Sequence, residues 1–324
     1  MKPRIGFLGA GWIGRHRMAA MLATGAVEAA AVCDPSSECL ADAAKLAPEA
    51  VQAHSLEAML EMNLDGLVIA TPSALHAEQS IQALNAGVAV FCQKPLGRTA
   101  AEAQAVVDAA RAADRLLGVD LSYRHTQGMV EIAELVRSGA LGQVFAVDLT
   151  FHNAYGPDKA WFYDPALSGG GCVVDLGVHL VDLALWTLGF PEVRDVHAQL
   201  LRDGRALGEN DVEDFAVAQF DANGVAVRLA CSWRLQAGRD AVIEAAFYGT
   251  QGGAALRNVN GSFYDFTAER FAGTSAQLLA GPPDDWGGRA AAAWAEQLAR
   301  SPAFDASAAQ FVRSAEVLDR IYGR

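Results

Sequence analysis

The stretch RIGFLGAGWIG, residues 4–14, decides how the rest of the chain is read. Its first half is an apolar strand, and its second half, Gly9-x-Gly11-x-x-Gly14, opens a helix. The three glycines do different things. Gly9 permits a tight turn, Gly11 lets the backbone approach a pyrophosphate, and Gly14 lets the helix pack closely on the strand. Trp12 and Ile13 lie at the helix N-terminus, where unpaired N–H groups and the helix dipole favour an anion. Asp34, at the end of the next strand, is placed to bond the ribose hydroxyls of an adenosine. Its charge would repel a 2′-phosphate, and PSSECLADAA, residues 35–44, brings no Arg or Lys before Lys45. The motif therefore predicts a bound NAD in preference to NADP.

Outward from this motif, short apolar strands at 4–10, 27–34, 65–72, 88–94 and 116–121 alternate with Ala-rich amphipathic stretches such as LHAEQSIQALNAG, 75–87. That alternation predicts a doubly wound parallel α/β sheet. After LVRSGALG, 135–142, where Gly139 and Gly142 close a helix and open a turn, strands follow one another at 143–153, 196–201, 213–220, 226–233 and 242–249. The turn Asp221-Ala222-Asn223-Gly224 separates two of them, and the pattern predicts a second, largely antiparallel half. Two helical stretches, 287–300 and 307–323, finish the chain. With no repeat and no low-complexity linker, the change of pattern alone sets the division: a cofactor-binding domain over 1–121, and a substrate-binding and oligomerisation domain over 122–324. The alternating strands of the second part would leave an apolar outer sheet face, so a homodimer or homotetramer is expected.

The 324 residues carry a formal net charge of -13 and a sequence pI near 4.9, a field that repels phosphate and argues against nucleic acid or an anionic membrane as partner. A small substrate fits better. The five cysteines are odd in number and contain no CxxC pair, which fits packing residues in a reducing compartment. The basic N-terminus is interrupted by glycines and by Arg15, His16 and Arg17 before a signal-peptide core is complete, and no run approaches a membrane span. A cytoplasmic location is the expectation.

In a doubly wound sheet, ligands sit beyond the carboxyl ends of the strands. That rule selects Thr71, Pro72 and His76 after one strand, and Gln93 and Lys94 after another. An ammonium closing a strand otherwise made of VAVFC can snorkel to solvent, or it can polarise a substrate oxygen and favour an alkoxide. His76 reads equally as a cofactor contact and as a helix-start residue bonding the local backbone.

The segments GxGxxG, TP-x3-H, FCQKPL, SYRHTQG, GGGxxxDxGxH with its continuation LVDLALWTLG, and GTQGGAAL together resemble the Gfo/Idh/MocA family of NAD(P)-dependent oxidoreductases over essentially the whole chain. The resemblance implies a Rossmann domain followed by an α/β domain with an open, mostly antiparallel mixed sheet, which commonly makes the oligomer interface. It also implies that Lys94, matching the lysine of the EKP motif, and Asp175 and His179, matching the second-domain motif, carry the reaction. One departure stands out: the usual glutamate of EKP is Gln93 here, and an amide keeps a hydrogen bond but not the charge.

GGGCVVDLGVH, 169–179, combines a bare loop with a carboxylate and an imidazole. Glycines can lie against the nicotinamide and substrate, and positions 175 and 179 share one helix face at i, i+4. Oxidation of a secondary alcohol needs a base for the hydroxyl proton, which suits His179, with Asp175 orienting it or contacting a substrate hydroxyl. A metal site of Asp175, His179 and Asp182 is disfavoured because the apolar helix adds no further ligand, so no metal is expected, and Asp182 reads as a partner for backbone or a buried polar group. Tyr123, Arg124, Asn153, Tyr155 and Trp161, with His152, Asp158 and Lys159 nearby, offer the mixture of aromatic faces and hydrogen bonds that a polyhydroxylated ligand needs. The leading reading is a dehydrogenase moving a hydride between NAD and a secondary alcohol of a sugar, sugar acid or cyclitol. The alternatives are a lyase or glycosidase using transient oxidation by tightly held NAD, and a catalytically silent NAD(P)-binding regulator.

Overall fold

The computed structural model describes residues 1–208 and 210–324. The chain forms two compact units, Met1–Asp120 with Gly288–Val312, and Leu121–Gly287 with Arg313–Arg324. In the first unit, strands and helices alternate as β1 (Arg4–Leu8), α1 (Trp12–Ala23), β2 (Glu28–Cys33), α2 (Ser37–Leu46), β3 (Val51–Gln52), α3 (Leu56–Leu60), β4 (Gly66–Ile69), α4 (Ser73–Asn85), β5 (Ala89–Cys92), α5 (Ala100–Ala113) and β6 (Leu117–Val119). The six strands are parallel in the order β3-β2-β1-β4-β5-β6, with the winding reversing between β1 and β4. The central strands β4 and β5 are buried throughout, as expected of a sheet covered on both faces.

The second unit begins with α6 (Gln127–Arg137), β7 (Val144–Asn153), α7 (Pro165–Ser168) and α8 (Val178–Leu188). It continues with β8 (Val193–Arg202), β9 (Arg205–Ala206), β10 (Phe215–Ala222), β11 (Ala226–Ser232), β12 (Ala241–Gly249), β13 (Gly252–Asn258), β14 (Phe266–Ala272) and β15 (Ser275–Ala280). These nine strands form one sheet in the order β15-β14-β13-β12-β7-β11-β10-β8-β9. All pairs are antiparallel except β7 with β11, so the sheet is mixed but mostly antiparallel. The period-2 alternation of β7 buries Val147, Leu149 and Phe151 against α8, while Asp148 and Thr150 line a groove on the opposite face. That face is more polar than the sequence suggested: Arg228 grips Asp148 with two bonds of 2.8 and 2.7 Å.

The chain closes with α9 (Arg289–Arg300) and α10 (Ala309–Tyr322). Residues 288–312 return to the first unit, which corrects the assignment of all of 122–324 to the second. The reason is packing. The apolar face of α9 (Ala290, Ala291, Trp294, Ala295, Leu298) joins the core of the first unit, and Trp294 occupies space left by Gly66 and Gly118, where an added Cβ would stand 2.8 and 2.6 Å from its ring.

A second correction concerns residues 165–188. This stretch is long and apolar enough to cross a membrane, contrary to the sequence expectation, yet 78% of its apolar window is buried inside the protein. It is the core of the second unit, interrupted by a glycine loop.

Candidate active site

The glycine cradle at the end of β1 has the shape that its spacing demands. Gly9 has φ +91°, and a Cβ there would stand 2.5 Å from the carbonyl oxygen of Ala70; a Cβ on Gly14 would collide with the carbonyl of Gly9. Gly11 differs from both, since a Cβ there would meet nothing within 4 Å. It caps the N-terminus of α1 without a side chain, so open space lies where the helix dipole favours a pyrophosphate. Trp12 is exposed beside it, with its ring 5.6 Å from that of His16. Asp34 is fixed by two backbone donors, Ala10 at 2.6 Å and Ser36 at 2.8 Å. These residues fit a dinucleotide.

Sequence reading missed Arg15. It reaches back from α1 to bond the carbonyl of Ala10 at 2.7 Å and pairs with Asp42 at 3.3 Å, so a cation does stand beside the turn that holds Asp34. It precedes Asp34 along the chain, so the stretch that follows the carboxylate carries no sign of it.

At the ends of β4 and β5, Thr71 donates its hydroxyl to Gln79 at 2.6 Å and the exposed Pro72 caps α4. His76 is 1% exposed, with each ring nitrogen 2.7 Å from a backbone carbonyl, those of Thr71 and Pro95. The imidazole thus ties the two strand-end loops together, the backbone-bonding alternative of the sequence reading. Burial holds its pKa below the ordinary histidine value. Lys94 is half-buried at the end of β5, and the neighbouring Gln93 is buried with its amide donating to Asp120 at 2.6 Å.

In the second unit, the glycine loop is explained by packing and not by exposure of backbone. Gly169 ends α7 with φ +83°, while Gly170 and Gly171 are buried. A Cβ on Gly170 would collide with the Tyr322 hydroxyl, and one on Gly171 with the backbone of Glu213. Glu213, fully buried at the start of the strand pair, takes three successive N–H groups of the loop: Gly171 at 3.0 Å and Val173 at 2.8 Å on its carboxylate, and Cys172 at 3.0 Å on its carbonyl. Tyr322 adds its hydroxyl at 2.7 Å and Arg324 bonds the Gly169 carbonyl at 3.0 Å. Burial raises the pKa of Glu213, opposed by these donors. Sequence reading missed Glu213, because acidic residues at a strand start look like a solvated turn.

Beyond the loop, Val173–Gly177 forms a π turn and not the α turn assumed from the spacing. Asp175 lies within it, half-buried, and accepts a hydrogen bond from the indole of Trp233 at 3.0 Å. His179 follows in the first turn of α8, half-buried, its ring 4.8 Å from Tyr123 and 6.4 Å from Phe151. Tyr123 is buried, and desolvation pushes its hydroxyl pKa well up, so it stays neutral. Arg124 clasps Asp182 through two bonds of 2.6 and 2.5 Å, and Ser314 adds a third at 3.3 Å. The guanidinium that sequence reading placed on substrate is thereby committed to a buried ion pair, and Asp182 takes the structural part expected of it.

Of the remaining substrate candidates, Asn153 follows Phe151 on the inner face of β7, and its Oδ1 is a buried atom with no hydrogen-bond partner. His152 points to the other face and bonds Ser232 at 2.8 Å. Tyr155 is exposed, and Trp161 stacks on Phe162 at 3.8 Å. Among the described residues, no group of three or more His, Cys, Asp or Glu could hold a metal ion.

A dinucleotide cradle on a parallel sheet, followed by a mixed-sheet domain bearing a carboxylate and an imidazole, defines a two-domain NAD(P)-dependent dehydrogenase acting on CH–OH groups. Residues 3–121 match the model of the oxidoreductase family with an NAD-binding Rossmann fold, and residues 129–255 match the GFO/IDH/MocA C-terminal domain. The chain belongs to the Gfo/Idh/MocA family. It is 29% identical to D-glucoside 3-dehydrogenase of Escherichia coli (strain K12), over 78% of this chain and 76% of the relative. It is 27% identical to inositol 2-dehydrogenase of Rhizobium meliloti (strain 1021), over 80% and 76%. The crystal structure of GenD2 from gentamicin A biosynthesis, in complex with NAD, superimposes with a TM-score of 0.83 at 25% identity, covering 99% of this chain and 93% of that one.

Proposed function

We infer that the protein transfers a hydride between NAD and a secondary alcohol of a sugar, sugar acid or cyclitol. The observation that carries this reading is the second-unit constellation: a half-buried imidazole, His179, on the aromatic wall of Tyr123, and a carboxylate, Asp175, held by Trp233. The relatives named for a glucoside and an inositol support a polyhydroxylated substrate. NAD, when bound, supplies the hydride acceptor. His179 takes the hydroxyl proton as the alcohol is oxidised, Lys94 stabilises the developing alkoxide, and Asp175 orients the imidazole or accepts from a neighbouring substrate hydroxyl. Run backwards, His179 returns the proton. Tyr123 and Asn153 are the best supported substrate contacts, with Tyr155 and Trp161 offering aromatic faces to a sugar ring.

NAD is the preferred cofactor in this reading, because the Asp34 carboxylate repels a 2′-phosphate and the Arg15 guanidinium is engaged by Ala10 and Asp42. Gly9, Gly11, Trp12, Ile13, Gly14, Thr71, Pro72, Gln93 and Lys94 shape its site, with His76 bracing the loops beneath. Five free cysteines fit a reducing, cytoplasmic setting. A homodimer or homotetramer belongs to the same reading, with the outer face of the nine-stranded sheet, where Val217 is exposed among polar side chains, as the surface for it.

The experiment is a screen of polyols and sugar acids with NAD and NADP, followed by NADH absorbance and product analysis. Stoichiometric NADH with a keto product supports the reading. A product formed without net NADH would replace it with transient oxidation, and equal or tighter binding of NADP would overturn the cofactor preference.

A further inference from the structure

The usual EKP glutamate is an amide in this chain, and the structure shows a carboxylate one strand away. Asp120, 2% exposed at the end of β6, presents Oδ2 to the Gln93 amide at 2.6 Å and to Arg17 Nε at 2.5 Å. Arg17 is itself only 6% exposed, and the Asp120 N–H bonds the Cys92 carbonyl at 2.9 Å, locking the ends of β5 and β6 together. The amide at 93 is required by this arrangement. A glutamate there would set two carboxylates at hydrogen-bond distance in a buried place, where both cannot remain charged. An amide donates where a carboxylate can only accept.

The strand order says what this cluster faces. With the adenosine held at Asp34 after β2 and the pyrophosphate at α1, the nicotinamide half of a bound dinucleotide would reach the ends of β4, β5 and β6, on the other side of the reversal between β1 and β4. Oxidised nicotinamide carries a positive charge and reduced nicotinamide does not. The buried Arg17 guanidinium shares the Asp120 carboxylate with Gln93 at the end of β5, and a positive charge there would disfavour the oxidised form unless a carboxylate compensated it.

We propose that Asp120 is a positioning residue that supplies, from β6, the negative charge the motif carries at position 93, and thereby sets the balance between oxidised and reduced cofactor at the nicotinamide end. This rests on the reading of NAD as the cofactor. Gln93 holds the carboxylate in place and Arg17 pairs with it; none of the three has to touch substrate.

The test measures Kd for NAD+ and for NADH, without substrate, in the wild type, in Asp120→Asn and in the exchanged pair Gln93→Glu/Asp120→Asn. Asp120→Asn weakens NAD+ relative to NADH by on the order of tenfold, the effect of one unit charge at intermediate distance and dielectric. A merely structural loss would weaken both alike. The exchanged pair returns the ratio to within about threefold of wild type, because charge and hydrogen bond are both restored. Asp120→Ser removes the charge with less bulk, so whichever single variant folds, by its thermal transition, decides the matter. An unchanged ratio in a folded single variant overturns the proposal, as does an exchanged pair as impaired as Asp120→Asn. A wild type that binds neither cofactor sinks the NAD reading itself, a result separate from either.

Discussion

The hydroxyl of Tyr322 donates to the carboxylate of Glu213 at 2.7 Å, and the same carboxylate oxygen accepts the N–H of Val173, two residues before Asp175. A buried acid in β-strand surroundings therefore anchors the π turn that presents the proposed active-site carboxylate. Glu213→Ala strands several buried donors and should cost about 3 kcal/mol of stability. Tyr322→Phe, which removes one bond, should cost about 1 kcal/mol. In both, turnover should fall further than NAD affinity, a split that thermal unfolding, titration and kinetics read together.

Two glycines with opposite surroundings separate packing from ligand binding. Gly171→Ala drives a Cβ into the Glu213 backbone and should destabilise the protein by about 2 kcal/mol or more. Gly11→Ala meets nothing within 4 Å and should leave the melting temperature nearly unchanged. The same Cβ takes the space beside the N-terminus of α1, so NAD affinity should drop by on the order of tenfold. Gly11→Ala with wild-type NAD affinity would remove the pyrophosphate from the cradle.

His179→Ala should lower turnover by on the order of 10²-fold or more while NAD affinity barely changes, as expected for a positioned acid/base group. Lys94→Ala should also suppress turnover. In the proposed mechanism the two groups serve the same transition state, so the double variant should lose less than the product of the single losses. Near wild-type turnover in His179→Ala at neutral pH would take the imidazole out of the chemistry.

Stability should fall as the solution is acidified below the ordinary histidine range. Burial lowers the folded-state pKa of His76, and of His152, beneath the unfolded value near 6.5. The unfolded chain therefore takes its protons first as pH drops through that window, and stability present above it is progressively lost. His76→Gln, whose amide can still donate to the flanking carbonyls, should make the slope of melting temperature against pH between 7 and 5 shallower. An unchanged slope would show that His76 keeps its proton affinity on folding.

Local chemistry made much of this legible from the chain alone. Hydrophobic period and turn residues are local, so the parallel sheet and the mostly antiparallel run of strands after it could be read directly, whereas the one parallel pair, β7 with β11, joins strands far apart in sequence. The glycine spacing of 9, 11 and 14 and the distance to Asp34 are likewise short-range, and they define a dinucleotide cradle before any contact is known. What the tertiary structure decided are the partners brought together across long stretches of sequence: α9 returned to the first unit by the fit of Trp294 to two glycines, Arg124 committed to Asp182, and Asp120 joined to Gln93 and Arg17. The bare loop at 169–171 shows the limit most plainly. Its residues signal that something approaches closely, but a sequence cannot say what, and the answer is Glu213 and Tyr322, because steric exclusion depends on which surfaces the fold presses together.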